Sequence, residues 1–414
     1  MKILIKQIVM KHRFSLITLV ISFIVAFSSQ AQEPTRWRGP LSNGVYLETG
    51  LLKVWPATGP EIAWSYDGLG QGHSSAAGSG DFIYTTGMIE NTGYLFKFTL
   101  SGELVYKKEY GPEFVESFYG TRGTPVIVGD KIYLLSSFGV IICFNEKDGS
   151  IIWKEDLVSK YGGETITWGY NETPVVDGDK VYCTSGGSQN AVLALNRHTG
   201  SLIWSCPGKL ELSAYCTPLL FVHNGRKILA THTAKHLLGI DAETGTLLWT
   251  HPQPNQWSVH ANTPIYQDGG LFYFSGYGQG SGKLNLSQDG SKVSLAWENK
   301  TMDSRMGGAV LVNGYIYGSG DNKREWKAIN WATGENSYIS TEIAKGVVIY
   351  ADGMLYCYSE KGELALVKAD PASFGVVSEI KVTLGSEQHW AHPMIFKGIL
   401  YLRHGNTLIA YKIK

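Results

Sequence analysis

The sequence predicts an all-β chain: an eight-bladed β-propeller of four-stranded antiparallel blades, closed by an N-terminal strand. Three observations lead there. One pattern recurs along the chain: Thr124-Pro125 running to Tyr133 is rewritten as Thr173-Pro174 running to Tyr182, and Thr217-Pro218 and Thr263-Pro264 open further copies. Degenerate copies cover 74–84, 308–317, 347–356 and 392–401, and starts recur every roughly 40 to 50 residues, a blade-like period. A second pattern is a turn, Asn145 to Gly149 to Trp153, then Asn196 to Gly200 to Trp204, then Asp241 to Gly245 to Trp249. Composition is the third: 49 Gly with 23 Tyr, 15 Phe and 12 Trp in 414 residues, as tight turns between aromatic-rich strands require.

Each repeat reads as strand, Gly turn, strand, loop, strand, Gly turn, strand. An Asp or Asn ahead of the Gly bonds the local backbone, and the Gly takes the left-handed position. The Trp that follows packs between neighbouring sheets. Inner strands number eight, but the last unit, 392–414, holds only about three strands. Glu61-Ile62-Ala63-Trp64-Ser65-Tyr66 supplies the missing outer one, with Trp64 at the repeat's Trp position. Such closure joins the two ends of the chain and removes exposed sheet edges.

The chain therefore divides into a signal peptide (1–31), an N-terminal clasp lying outside the wheel (32–60) and the propeller (61–414). Lys2, Lys6, Lys11, His12 and Arg13 precede the apolar run 14–27, and Ser28-Ser29-Gln30-Ala31 follows. That is the plan of an export signal, and the run is shorter than the ~20 residues of a spanning helix. The expectation is a periplasmic or secreted protein with no membrane anchor. Thirty-six basic residues balance 36 acidic ones, which speaks against nucleic acid or an anionic membrane as partner. A closed wheel has no free edge, so a monomer is expected. Of five cysteines, Cys143, Cys183 and Cys357 sit in strand patterns as buried thiols. Cys206 and Cys216 flank one loop and could pair. No CxxC or CxxCH occurs, which disfavours thiol redox chemistry and covalent haem.

The Thr-Gly-x-x-x-Trp turns, with Trp37-Arg38-Gly39-Pro40 near the mature start, resemble the PQQ-like β-propeller repeat family over essentially everything after the signal. The family includes quinoprotein alcohol dehydrogenases and the propeller scaffold of outer-membrane β-barrel assembly. The resemblance implies the fold; the repeat is the packing device that all members share, so it does not by itself imply an activity. The quinoprotein enzymes add a calcium-ligating carboxylate and amide set and an adjacent Cys-Cys pair. This sequence has no adjacent Cys pair. No cofactor is therefore expected; PQQ with calcium belongs only to an alternative reading.

Loops leading into the inner strands share one face with the loops between strands two and three. The Gly turns on the other face are bland. The first face carries Gln71-Gly72-His73, Phe118-Tyr119-Gly120-Thr121-Arg122, Trp168-Gly169-Tyr170-Asn171-Glu172, Trp257-Ser258-Val259-His260, Asp303-Ser304-Arg305 and His389-Trp390-Ala391-His392. Convergence of these starts around one axis predicts a funnel with aromatic walls and a few polar groups. His73, Tyr119, His260 and His392 are the candidate proton-exchanging residues. Arg122 and Arg305 suit a carboxylate, held bidentately, while Trp168, Tyr170, Trp257 and Trp390 suit stacking on sugar rings.

Serine-triad signatures and phosphate-cradling loops are missing, and spacing identifies no third metal ligand beside His389 and His392. His, Tyr and Arg together suit β-elimination from a uronic acid: Arg acidifies the C5 proton, a base removes it and an acid protonates the departing oxygen. The partner would be an anionic oligosaccharide or polysaccharide, and the enzyme a lyase or dehydratase. A non-catalytic propeller that scaffolds or binds, and a quinone-dependent dehydrogenase, are the alternatives.

Overall fold

In the computed structural model, residues 33–414 are described; the proposed signal peptide lies outside them. Eight four-stranded antiparallel sheets succeed one another along the chain. Blades 1 to 7 span 77–112, 126–156, 175–206, 219–252, 265–299, 309–340 and 346–381. Blade 8 takes three strands from 394–412 and its fourth from Ile62–Tyr66, whose Trp64 pairs with Ala410 in the outer position. The ring closes as the repeat count requires. The helix among the described residues, Leu157–Tyr161, is one short turn after blade 2, and none of these residues forms a helix long and apolar enough to cross a membrane.

The repeated residues hold neighbouring blades together. Trp64, Trp153, Trp204 and Trp297 each donate their indole N–H to a carbonyl in the next blade: Leu100, Arg197, Ala242 and Trp331, at 2.9–3.1 Å. Each ring lies flat against the turn glycine of that blade, so a Cβ on Gly102, Gly200, Gly245 or Gly334 would meet it at 2.5–2.9 Å. Only glycine leaves room there, and its positive φ suits it to the turn. Near the axis the Thr of the Thr-Pro pair bonds across blades. The Ser75 N–H donates to Thr124 Oγ1 and the Thr173 N–H to Thr217 Oγ1, at 3.1 and 2.9 Å.

The first half of the segment 33–60 departs from expectation, because residues 35–46 run along inner strands and not outside the wheel, while Trp55 and Gly59 meet Ser378 and Ile380 on the outer strand of blade 7. Thr35 exchanges hydrogen bonds with Ile127 on the inner strand of blade 2. Val45–Tyr46 then adds as a parallel strand to the inner strand of blade 7. The Gly44 N–H, donating to the Arg38 carbonyl at 2.7 Å, closes the loop between them. The physical reason is Arg38, which is fully buried and donates to the carbonyls of Ala309 in blade 6 and Val348 in blade 7. Inner-strand carbonyls that face the axis have no further strand to accept from, and this guanidinium supplies the donors.

Candidate functional site

The inner-strand starts enclose an axial cavity of about 210 Å³. Trp37, Phe118, Trp168, Tyr215, Tyr277, Met306 and Trp390 give it apolar walls, and His73, Arg122, Asn171, Arg305 and His392 are its chief polar groups. Trp390 packs between His73 and Phe118, with ring centres 5.1 and 4.8 Å away. Trp37 donates to Ser75 Oγ at 3.3 Å and meets the His392 ring edge-on at 4.8 Å.

Three of the wall aromatics, Phe118, Tyr215 and Tyr277, hold φ between 49° and 68°. Elsewhere this left-handed conformation falls largely on glycine and on turn Asn and Asp residues such as Asn224, Asp268 and Asn313, where it is common. In bulky residues it is strained, by about 1–3 kcal/mol each, and persists only where the surroundings impose it. At Phe118 it turns the ring inward.

The polar groups differ in how free they are. Arg122 donates to the carbonyls of Gly120, Phe118 and Ser117 at 2.6, 2.9 and 3.2 Å and stacks over Phe114, so it braces its own loop. Arg305 ion-pairs with Glu360 at 3.3 Å and lies 4.0 Å from Asp321, both of which also meet Lys345. His392 is engaged on both nitrogens, by Arg38 and by the Met306 carbonyl. His73 is the opposite case: both ring nitrogens are buried and lack a well-formed hydrogen bond. Burial, and then the charges of Arg122 and Arg403, push its pKa down to about 3. It is therefore a neutral imidazole in the cavity wall, with its two nitrogens shielded and the Phe118 backbone carbonyl as its weak partner.

The structure brings His73, Arg122, Trp168, Arg305, Trp390 and His392 together around the cavity. Four other expected residues are displaced from it. His260 is 0% exposed, stacked 4.9 Å from His232, with Nε2 on the Ala234 carbonyl at 3.2 Å. Val259 and Ala261 on either side of it line the cavity, so alternation turns His260 the other way. The same parity acts at Tyr170: Asn171 faces in, while the Tyr170 hydroxyl meets the carbonyls of Ser185 and Glu164 inside the wall. Tyr119 is 48% exposed beside the inward-turned Phe118. Trp257 is 53% exposed and reaches the cavity only through the edge of Trp168, 6.3 Å away.

Sequence reasoning gave no site role to Trp37, Tyr215 and Tyr277, although Ser213-Ala214-Tyr215 stands among the loops entering the inner strands on the first face. Trp37 was legible as part of Trp-Arg-Gly-Pro, but the segment had been placed outside the wheel. Tyr277 directly precedes Gly278-Gln279-Gly280-Ser281-Gly282, which reads as a flexible turn. The five cysteines are free and buried; Cys206 packs in the core between blades 3 and 4, and Cys216 directs its thiol to the Thr217 carbonyl at 3.3 Å.

A calcium-bound quinone needs a carboxylate and amide cage, and these residues do not form one. Asn171 is the amide in the lining, and no Asp or Glu lines the cavity. The neighbouring Glu172 turns away and accepts from the Thr184 N–H at 2.6 Å. Among the described residues no group of three His, Cys, Asp or Glu side chains is placed to hold a metal ion.

Comparison with known proteins agrees with the fold. The chain superposes on BamB from Moraxella catarrhalis with TM-score 0.62 at 13% identity, covering 85% of this chain and 99% of that one. For the quinohemoprotein alcohol dehydrogenase from Comamonas testosteroni the TM-score is 0.64 at 11% identity, covering 90% and 79%. In sequence, 139 residues are 28% identical to quinohemoprotein alcohol dehydrogenase ADH-IIG of Pseudomonas putida, or 31% of this chain and 19% of the relative. A further 28% identity, over 162 residues, relates it to tetrathionate hydrolase of Acidithiobacillus ferrooxidans, covering 32% and 29%. The chain thus spans under a third of either relative's length. The model of the family PQQ_2, described as outer membrane protein assembly factor BamB, matches residues 53–340, more than half of the chain, and the chain belongs to that family.

Proposed function

We propose that this chain is an exported, ligand-binding propeller whose axial cavity takes a small ring-bearing organic anion, such as the terminal uronic acid of an oligosaccharide. The observation that carries this reading is the cavity's composition: aromatic walls, two arginines, a neutral His73 and no carboxylate. Aromatic faces suit a ring, and arginine with imidazole suits a carboxylate.

Elimination is less well supported, because it needs an acid and a base that work near neutral pH. His73 is held too far down to act as base, His392 has both nitrogens engaged, and Tyr119 and His260 face elsewhere. Family membership alone is equally compatible with a scaffold; the strained, aromatic cavity favours binding. Export is part of the same reading and rests on the N-terminal pattern.

Isothermal titration with galacturonate, its dimer and neutral galactose tests the proposal. Binding of the acids, loss of that binding in Trp390→Ala, and recovery of unchanged sugar support it. Galactose binding as tightly as galacturonate, or affinity untouched by Trp390→Ala, overturns it. Formation of an unsaturated uronate would restore the lyase reading.

A further inference from the structure

Two cations beside the cavity have no carboxylate partner. Arg38 is fully buried, and its donors go to the carbonyls of Ala309 and Val348 and to His392 Nδ1. Arg403, on the second strand of blade 8, is 1% exposed and donates to the Gly405 carbonyl at 2.8 Å, to Ser74 Oγ and to the Thr86 carbonyl. Its Nη2 is buried with no hydrogen-bond partner. Gly72 permits this approach, since a Cβ there would lie 2.6 Å from that nitrogen.

The other cations are accounted for. Arg122 is near Glu113, and Arg305 and Lys345 share Asp321 and Glu360. Asp303 spends its oxygens on the backbone N–H groups of Gly278, Asp321 and Asn322. No ion pair to Arg38 or Arg403 exists among the described residues, and burial of an unpaired charge is costly. Arg403 lies behind His73 and Ser74 of blade 1, and Arg38 touches His392; His73 and His392 both face the cavity. The two charges therefore bias one cavity from two separate places.

We infer that the cavity selects a dianion: two negative charges on one ligand offset the unpaired guanidinium groups of Arg38 and Arg403. This rests on the ligand-binding reading above and narrows its ligand class.

An isosteric charge series tests this on the unaltered protein: terephthalate, 4-carbamoylbenzoate and terephthalamide carry two, one and no negative charges on one skeleton. Titration should show terephthalate bound about tenfold or more tightly than 4-carbamoylbenzoate, as one further charge offset through the cavity wall gives at short range. Arg403→Met should bring terephthalate close to the monoanion's affinity, and Arg38→Met provides a second variant if that one does not fold. Equal affinity of the dianion and the monoanion overturns the inference and leaves the ligand-binding reading standing. Failure of the whole series and of galacturonate overturns both.

Discussion

Arg38 Nη1 donates to His392 Nδ1 at 2.7 Å, and His392 Nε2 meets the Met306 carbonyl at 2.9 Å. A guanidinium can only donate, so Nδ1 is the bare nitrogen and Nε2 carries the proton that Met306 accepts. Burial and the charge of Arg38 drive the His392 pKa well down and keep it in that neutral form. A residue of the N-terminal segment thereby fixes the tautomer of a cavity histidine in blade 8.

Arg38→Met should leave His392 Nδ1 and two inner-strand carbonyls without their donor. An unsatisfied buried group costs about 1–3 kcal/mol, so the unfolding midpoint should fall. Nitrogen NMR of the imidazole should also show the His392 tautomer no longer fixed. An unchanged midpoint with a fixed tautomer would mean that the Arg38 contact contributes nothing.

Stability should pass through a maximum near pH 6.5. The folded chain holds His73 and His260 neutral down to about pH 3 and about pH 4, chiefly through burial, whereas the unfolded chain protonates them near 6.5. Below 6.5 the unfolded state therefore binds more protons, and stability falls by about 1.4 kcal/mol per pH unit for each. Glu172 has the opposite sign: burial raises its carboxyl from 4.5 to about 8, so stability falls as pH rises through that window. His232, His389 and His392 are lowered in the same sense, so the histidines outweigh the buried carboxyls on the acid side, and Glu172, with Glu113 raised in the same direction, shapes the near-neutral side. Urea unfolding across pH should show both limbs, and Glu172→Gln should flatten the second.

The fold was legible because its signals are periodic. A Trp that must lie on the next blade's turn glycine, as Trp204 does on Gly245, leaves both residues in the sequence at fixed spacing. The site was less legible because its residues differ by single steps of alternation. Phe118 faces in and Tyr119 out, Asn171 in and Tyr170 away, Val259 and Ala261 in and His260 away. Residue type suggested the polar partner in two of these pairs, and backbone parity decided otherwise. Position in the chain also concealed Trp37, which reaches the axis by a path that no repeat encodes.

Trp204→Ala should cost about 3–5 kcal/mol as a large-to-small core change, since the indole is buried and bonded to the Ala242 carbonyl at 3.1 Å. Denaturant titration measures this loss. Ligand affinity of the remaining folded protein should be unchanged, because Trp204 lies between blades 3 and 4 rather than against the cavity.

Ring closure and the axial segment can be separated by where the chain begins. A chain starting at Glu61 keeps the strand Ile62–Tyr66 that completes blade 8 and loses Trp37 and Arg38. One starting at Tyr66 loses both. Calorimetry should show the second far less stable than the first, because it leaves Thr407–Lys412 as an open edge, paired only with Ile399–His404. Ligand binding should already be lost in the first. Equal melting of the two chains would show that the N-terminal strand does not close the wheel.

The last prediction separates the cavity as built from the funnel first expected. His73→Ala removes a neutral imidazole from the cavity wall, and Trp390→Ala removes the ring packed between His73 and Phe118. Each should weaken binding of a ring-bearing acid by about tenfold or more, the size of one hydrogen bond to a charged group or one aromatic contact. Tyr119→Phe should change nothing, because its side chain is exposed and outside the lining. His260→Ala should lower stability through its lost packing on His232 and leave affinity unaltered. Affinity that responds to Tyr119 and His260 while ignoring His73 and Trp390 would place the ligand at the rim, around the exposed Trp257, and not in the axial cavity.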